Sequence, residues 1–467
     1  MSLNSQTMLY DTLSGGLKSV GLNKRVSLYV CGPTVYGLPH LGHGRFVVAF
    51  DILVRWLRVK GCQVKYVSNI TDIDDKIIKR AEVEKTTVDE IAKRYEASWW
   101  ESIKKLNVTV PDMVPHATDY VEAMLAFIDY LYSKGHAYEI SDGLYLDVSR
   151  VENYGILSKQ PLELLKAGAR VELNPEKKTP FDFALWKFSK PGEPYWNSPW
   201  GKGRPGWHTE CVVMSLDSLG DGFDIHGGAQ DLIFPHHENE IAQASLWGKQ
   251  FAKHWVHNGL AMIEGEKMSK SLGNFTNLEE VFNSHDPRAF RIACLKANYR
   301  SPVELSKQAI KDAQNALERL LMLVRRLQIN NLKQYNNVEE LLSNLSPEVK
   351  TSVLQFCEFM DDDLNTPAAL AHIFNLVTQA HNLYDQGDVQ RSQELTEVVC
   401  RLCSFLGLDL VEKIEVPDEI LELLKKRELA RKEKNWLEAD QIRQEIATKG
   451  YSVEDTLEGP RLYKKLD

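Results

Sequence analysis

The chain has 467 residues, 43% hydrophobic and 26% charged, with a formal net charge of −9. That is too long for one core, so about two to four domains are expected, and the acidic balance argues against broad non-specific nucleic-acid binding while leaving room for a local basic patch. No 18-residue apolar run predicts a membrane span, no basic-then-apolar N-terminal pattern predicts secretion, and seven scattered cysteines suit a reducing cytosol better than a disulfide framework.

Val26 to Val30 reads as a buried strand that ends at Cys31. A loop with Gly32, Pro33, Gly37 and Pro39 follows, and then His40 and His43 flank Gly42 at the start of a helix-period pattern. Phe46, Phe50, Leu53 and Leu57 share one stripe of that helix, and Gly61 ends it. Val64 to Val67 predicts a second strand, which completes a βαβ unit with His40-Leu41-Gly42-His43 at its first strand-to-helix turn. Such turns bind phosphates, because unpaired backbone N–H groups and the helix dipole converge there. The glycines do not spell GxGxxG, so hydride transfer starts as a weak reading. Asn69 to Lys76 reads as a capped helix start, with Thr71 or Asp72 accepting backbone N–H bonds. Thr71, at a strand's carboxyl end, is also a candidate ligand contact.

Residues 117–134 predict an amphipathic helix with Val121, Met124, Ile128 and Leu131 inward and Gly135 as its cap. A hairpin follows, Tyr138 to Ile140 and Leu144 to Val148 around Asp142-Gly143. Residues 191–207 are dense in Pro, Gly and Trp and read as an irregular surface segment returning from an insertion. The sheet resumes at Phe223 to Gly228, Pro235 opens a helix through Trp247, and Trp255 to Ile263 supplies another strand. Two α/β halves are thus separated by an inserted region of roughly a hundred residues. After Asn274 the pattern turns helical, with Asp286-Pro287 as a helix start and long segments at 305–327, 338–360, 366–385 and 389–406. Cys400 and Cys403 lie in the last of these and read as buried small hydrophobes rather than a redox pair. Pro417 begins a final segment: a helix pair broken near Lys434-Asn435, then a β tail around Tyr451 to Val453 and Arg461 to Tyr463.

Lys267-Met268-Ser269-Lys270-Ser271 sits between a strand and the turn Gly273-Asn274. Two lysines interleaved with hydroxyls suit a mobile clamp for a polyphosphate. A solvated basic loop would explain such a pattern alone. Paired with the histidine turn about 225 residues earlier, it does not. His40-Leu41-Gly42-His43 resembles the HIGH motif of class I aminoacyl-tRNA synthetases, with Leu41 for Ile, and Lys267 to Ser271 is an unbroken KMSKS motif. The resemblance implies ATP, with Mg2+, as a substrate. His40 and His43 then stabilise charge on the phosphates, Gly42 admits the adenine, and Lys267 and Lys270 close over the triphosphate.

Cys31, Cys211, His236 and Glu240 are thiol, thiol, imidazole and carboxylate, and the last two are four apart on a predicted helix, so both can face one ion. Cys62, Cys294 and Cys357 read as ordinary core residues. Tyr29-Val-Cys-Gly-Pro-Thr-Val-Tyr36, Gly206-Trp-His-Thr-Glu-Cys211 and Phe234-Pro-His-His-Glu-Asn-Glu-Ile-Ala-Gln243 resemble the cysteinyl-tRNA synthetases. The resemblance makes those four residues the ligands of one Zn2+, and it is the resemblance, with the four-residue offset, that picks His236 over His237. Trp207 and His208 are expected to wall the amino-acid pocket, Asp231 to receive the substrate ammonium, and Thr71 to contact its other end.

Lys425 to Lys434 carries six basic and two acidic residues and is followed by Trp436 and Asp440. Basic side chains hold phosphates and aromatics stack unpaired bases, although most of these charges read as a solvated helix face. In the family's anticodon-binding region, Arg431, Asp440 and Asp455 match base-reading positions, suited to a guanine-cytosine-adenine anticodon, with Trp436 beside them. The expected architecture is an α/β Rossmann-type catalytic domain of class I synthetase kind, with an inserted domain, then an all-α helical bundle and a small C-terminal anticodon-binding region. Its divisions are 1–115, 116–205, 206–275, 276–410 and 411–467. The implied partners are L-cysteine, ATP and tRNA(Cys), in a cytoplasmic monomer with no membrane attachment. Two rivals are a ligase joining cysteine to an amino-sugar inositol, which lacks such a tail, and a zinc-stabilised RNA-binding protein without catalysis.

Overall fold

A computed structural model describes residues 6–21, 24–159, 174–267, 276–330, 332–333, 335, 337–411, 417–456 and 459–464. It opens with a hairpin, β1 (Thr7–Asp11) antiparallel to β2 (Gly16–Val20). The βαβ unit follows as β3 (Arg25–Val30), α1 (Leu41–Val59) and β4 (Gln63–Ser68), with β3 and β4 parallel and Val26 opposite Val64. Residues 47–54 of α1 are all buried, so this helix is sealed on every side rather than on one stripe. Next come α2 (Asp75–Glu84) and α3 (Val88–Lys105). Asp74, not Thr71 or Asp72, caps α2 by accepting from the Lys76 amide. Asp72 instead accepts from Thr118, at Oδ1 from its amide (3.0 Å) and at Oδ2 from its hydroxyl (2.5 Å).

The insertion holds α4 (Val121–Ser133) and a four-stranded antiparallel sheet in the order β5 (Ala137–Ile140), β6 (Gly143–Leu146), β7 (Phe183–Phe188), β8 (Gly203–Pro205). The chain returns through α5 (Trp207–Leu219), β9 (Ile225–Ala229), α6 (Glu238–Leu246) and β10 (His254–Asn258). The central sheet runs β10-β9-β3-β4, all parallel. The first half grows outward from β3 and the second from β9, so the strand order reverses between these two neighbours. The crevice outside the carboxyl ends at such a switch point is where open α/β sheets bind ligands.

The segment 255–263 is two strands, not one. After β10 the chain turns at Gly259, where a Cβ would stand 2.3 Å from the Ser301 carbonyl, and β11 (Ala261–Ile263) joins a separate sheet with β12 (Glu266–Lys267) and β13 (Val303–Glu304). Between those strands lie α7 (Leu278–Phe282) and α8 (Pro287–Leu295), the latter capped by Asp286 as the Asp-Pro pair predicts. The bundle comprises α9 (Lys307–Arg326), α10 (Val338–Ser343), α11 (Pro347–Asp361), α12 (Thr366–Asp385) and α13 (Val389–Phe405). The predicted helix over 338–360 is broken because Pro347 lacks an amide to continue it and starts a new helix instead. One hydrophobic core runs without interruption from α1 into this bundle, while a second fills the insertion and the other face of the sheet. Cys400 and Cys403 sit fully inside the first core, and burial pushes the Cys400 thiol up to about 12. A third, small core joins α14 (Asp418–Lys432) and α15 (Trp436–Thr448) to the hairpin of β14 (Tyr451–Thr456) and β15 (Gly459–Lys464). Among the described residues no helix is long and apolar enough to cross a membrane.

Candidate functional site

Cys31 leaves β3 at the switch point, tied by its amide to the Gly227 carbonyl of β9 (3.0 Å). Cys211 lies in the second turn of α5, His236 in the turn before α6, and Glu240 in the first turn of α6. Residues far apart in sequence therefore meet because four elements end at one point. Their donor atoms all lie within 4.8 Å of one another, and each residue is at most 4% exposed. Cys31 Sγ is 3.6 Å from Cys211 Sγ and 3.4 Å from Glu240 Oε1, and His236 Nε2 is 2.8 Å from the same carboxylate oxygen. A second quartet shares Cys31 and Glu240 but takes His226 and His237, with His226 Nε2 at 2.7 Å from Glu240 Oε2.

Burial and close approach shift all four groups strongly. Burial pushes the Cys31 thiol well up, helped by Cys211 beside it. Cys211 goes the other way, to about 6, because Cys31 donates to it and His236 stands close, against the burial cost. Burial disfavours a charged His236, but Glu240 and Cys211 outweigh it and raise that imidazole to about 10. Burial likewise opposes the Glu240 carboxylate, yet His226, His236 and His237 hold it well below its usual range. His236 Nε2 and Glu240 Oε2 are buried and face other members of the cluster, Glu240 Oε1 and His226 Nε2 respectively. Two thiols, an imidazole and a carboxylate, buried and converging on one point, fit a four-coordinate, borderline-soft cation. Trp207 stacks on His236 with ring centroids 4.1 Å apart, and His208 Nδ1 meets His236 Nδ1 at 2.9 Å, which aims Nε2 inward.

Sequence alone leaves His237 as the alternative to His236 but misses His226 as a member of this cluster, and His257, which links His237 Nδ1 (2.8 Å) to the Thr12 hydroxyl (2.7 Å). The available signal was position: His226 lies in the strand that carries Gly227-Gly228 to the crevice. Thr71 is buried in the crevice, where its hydroxyl donates to Glu210 (3.0 Å) and accepts from Asn69 (3.2 Å). Asp231 is exposed on a short turn just beyond β9.

The other half of the crevice is the start of α1. His40 is its N-cap, and His40 and His43 each accept the other's amide at Nδ1 (3.3 Å) while their rings stack 3.7 Å apart. The first turn carries no acidic side chain, so the positive helix end is uncompensated there, with Gly42 half-buried between the histidines. Of Lys267 only the backbone is described, in β12 opposite Met262, and Lys270 lies outside the described residues with the rest of 268–275.

At the far end of the chain, Asp455 is engaged within the protein. Buried Arg427 grips it bidentately (2.8 and 2.8 Å) and Arg431 Nη1 adds a third bond (2.9 Å). The Arg427 hydrogen bonds, against a small burial cost, lower the Asp455 pKa. Arg431 also lies over the Trp436 ring at 5.6 Å, and both Trp436 and Asp440 are exposed.

Comparison with known proteins gives three successive family matches: tRNA synthetases class I (C) catalytic domain over residues 18–315, DALR domain over 355–411, and cysteinyl-tRNA ligase anticodon binding domain over 414–461. The chain is 43% identical over 464 residues to the cysteine–tRNA ligase of Thermodesulfovibrio yellowstonii, covering 93% of this chain and 94% of that one. It is also 43% identical over 447 residues to that of Ectopseudomonas mendocina, with 93% and 94% covered. In fold it is similar to Mycobacterium tuberculosis methionyl-tRNA synthetase in complex with methionyl-adenylate (TM-score 0.56, 14% identity, 86% of this chain and 94% of that one). It is also similar to the Agrobacterium radiobacter K84 agnB2 LeuRS in its ternary complex with tRNA and LeuAMS (TM-score 0.59, 12% identity, 83% and 86% covered).

Proposed function

The chain belongs to the cysteine–tRNA ligase family of class I synthetases, and from that premise we propose that it activates L-cysteine with ATP and passes the cysteinyl group to the 3′ end of tRNA(Cys). In the first step the cysteine carboxylate attacks the α-phosphorus of ATP, and pyrophosphate leaves. In the second, a hydroxyl of the terminal adenosine attacks the acyl carbonyl, and AMP leaves. His40 and His43 face the phosphates at the positive end of α1, where charge develops. Gly42 lets the adenine pack close, and Lys267 and Lys270 close over the triphosphate, which arrives with Mg2+. No protein nucleophile is required.

The observation that carries the choice of amino acid is the buried convergence of Cys31, Cys211, His236 and Glu240. These four would hold one Zn2+ per chain, and the ion supplies a borderline-soft Lewis acid that prefers thiolate to hydroxyl. That preference matters because serine has nearly the shape of cysteine, and an apolar pocket separates isosteres by only ~1–3 kcal/mol. Trp207 and His208 wall the pocket beside the metal-facing imidazole, Asp231 receives the substrate ammonium, and Thr71 lines the opposite side. Arg431, Trp436, Asp440 and Asp455 meet the anticodon, Asp455 through the arginines it orders. On this reading the chain divides at 1–115, 116–205, 206–275, 276–410 and 411–467, and it works as a cytoplasmic monomer.

The test is cysteine-dependent ATP–pyrophosphate exchange by the zinc-loaded protein, with serine as comparison and zinc measured per chain. Exchange with cysteine alone, at one zinc per chain, is the expected result. No exchange in zinc-loaded protein would sink the reading.

A further inference from the structure

Arg291 and Asp51 are buried charges that neither half of the crevice uses. Arg291 is 1% exposed and spends its donors on three segments of chain. Its Nε donates to the Leu406 carbonyl at the end of α13 (2.6 Å), its Nη1 to the Leu106 carbonyl at the end of α3 (3.0 Å), and its Nη2 to Asp51 in the middle of α1. Asp51 is filled as well, accepting the Thr109 amide at Oδ1 (2.7 Å) and Arg55 Nε at Oδ2 (2.7 Å). The guanidinium rests on Gly407, where φ is +73° and a Cβ would stand 2.2 Å from Nη2. A buried ion pair is poor evidence of stabilisation, since apolar side chains of the same volume often do better. What a planar guanidinium adds is fixed direction toward several partners at once.

α1 and α8, the helix that carries Arg291, are locked again toward the start of α1. Arg45 of α1 donates to the Cys294 carbonyl (2.7 Å) and the Asn298 carbonyl (2.8 Å). Gly44 lies so close to α8 that a Cβ would meet Phe290 at 2.6 Å. At the histidine turn, the Leu41 amide donates to Thr276 (3.3 Å) and the Leu278 amide to Pro39 (2.9 Å). Residues 276–278 follow the lysine motif after an interval of four residues. The start of α1 and residues 276–278 are therefore one hydrogen-bonded body, to which Arg291 and Asp51 tie α1 farther along its length.

We propose that Arg291 is a positioning residue for ATP activation: through Asp51 it holds α1 at the rotation in which His40 and His43 face the nucleotide phosphates. This rests on the reading of those histidines given above. A misplacement near 1 Å at a reacting centre costs about 100-fold in rate even when it originates far away.

The experiment compares Arg291→Lys, which keeps the charge but loses the fork, and Asp51→Asn with a control at the far end of α1. There Asp361 accepts from Trp56 Nε1 (3.0 Å), Lys60 Nζ (2.7 Å) and the Thr7 hydroxyl (2.8 Å), so Asp361→Asn also loosens α1 against the bundle. Melting temperature, zinc per chain, and kcat with KM for ATP and for cysteine in pyrophosphate exchange are measured for each. Arg291→Lys and Asp51→Asn are expected to lower exchange kcat about 10- to 100-fold with zinc content and cysteine KM unchanged. Asp361→Asn is expected to lose a similar margin of melting temperature while keeping kcat within about two-fold. Should either clamp variant fail to fold, Gly407→Ala displaces the guanidinium without altering charge and is held to the same expectation. Wild-type kcat in a folded clamp variant, or an equal loss in Asp361→Asn, would overturn the proposal. A wild-type protein without exchange would instead refute the catalytic reading itself.

Discussion

Gly32, just past β3, presses on Asn69, just past β4, and replacing it with alanine tests how the adjacent Cys31 is held in its cluster. A Cβ at Gly32 would lie 1.6 Å from the Asn69 carbonyl oxygen and 2.7 Å from its carbon, both backbone atoms. An ordinary contact begins near 3.4 Å, so the two chains would have to part by roughly 2 Å. They are not free to do so. Asn69 Oδ1 accepts the Gly32 amide (2.8 Å), the Thr71 amide donates to Pro33 (3.0 Å), and the Val35 amide donates to Thr71 (3.2 Å). Overpacking of this kind costs about 3 kcal/mol, at the high end of the usual range because backbone rather than a flexible side chain is struck. The neighbour that must move with Gly32 is Cys31, and metal–ligand distances tolerate only about 0.2 Å. Gly32→Ala is therefore expected to bind zinc at least 100-fold more weakly than wild type, measured by competition with a chromophoric chelator, and to unfold at a clearly lower urea concentration. Wild-type zinc affinity together with an unchanged urea midpoint would refute the claim that the Cys31 turn is clamped by Asn69.

Chelation is expected to abolish cysteine-dependent pyrophosphate exchange and to change Trp207 fluorescence, given its stacking on His236, while far-UV circular dichroism stays near wild type; zinc should restore both. Asp455→Asn strips buried Arg427 of its charged partner; because Asp455 is 37% exposed, the loss to the C-terminal unit is discounted to about 1–2 kcal/mol, read by urea unfolding, with exchange unaffected and the KM for tRNA raised. Trp436→Ala should raise the KM for tRNA about 10- to 100-fold, the worth of one stacked base, without touching the exchange reaction. Asp11 is fully buried, and although burial opposes its ionisation, Lys18, Ser14 and the Trp255 amide lower its pKa to about 2. A folded pKa below the unfolded one stabilises above about pH 4 and is lost as pH falls toward 2, so Asp11→Asn should cost about 2 kcal/mol at pH 7 and progressively less in urea titrations below pH 4.

The elements that sequence alone makes legible are those whose pattern is local. The extent of α1, the Asp286-Pro287 start, the helix over 366–385 and the closing helix pair all depend on spacing and caps within a few residues, although burial all round α1 does not. The misreadings come from contacts outside the window. The strand over 255–263 splits because Gly259 abuts Ser301, some forty residues later, and the N-terminal hairpin is held by the bundle, where Met8 pairs with Asp362. The helix over 338–360 is a different case, since Pro347 was in plain view and should have divided it. At the crevice, donor types could be listed from sequence but their meeting could not, because Cys31 and Cys211 are joined only by β3 and β9 becoming neighbours. For Asp455, a match to base-reading positions says nothing of Arg427, whose grip on it needs the fold of the last hairpin.

Under the proposed zinc assignment, two histidines compete for one ligand position. His236 and His237 both turn Nε2 toward Glu240's neighbourhood, and both have Nδ1 engaged, by His208 and His257 respectively. Ring orientation therefore does not separate them. The thiols do: of the two quartets, the one containing His236 includes Cys211 and so offers two sulfurs, whereas the His226–His237 quartet has one. An ion chosen for affinity to sulfur favours the former. His226, 2.7 Å from the outer oxygen of Glu240, then serves as the partner that orients the carboxylate rather than as a ligand. Its removal should leave the zinc content intact at saturating metal while weakening affinity by the 10- to 100-fold typical of outer partners, whereas loss of Cys211 should empty the site.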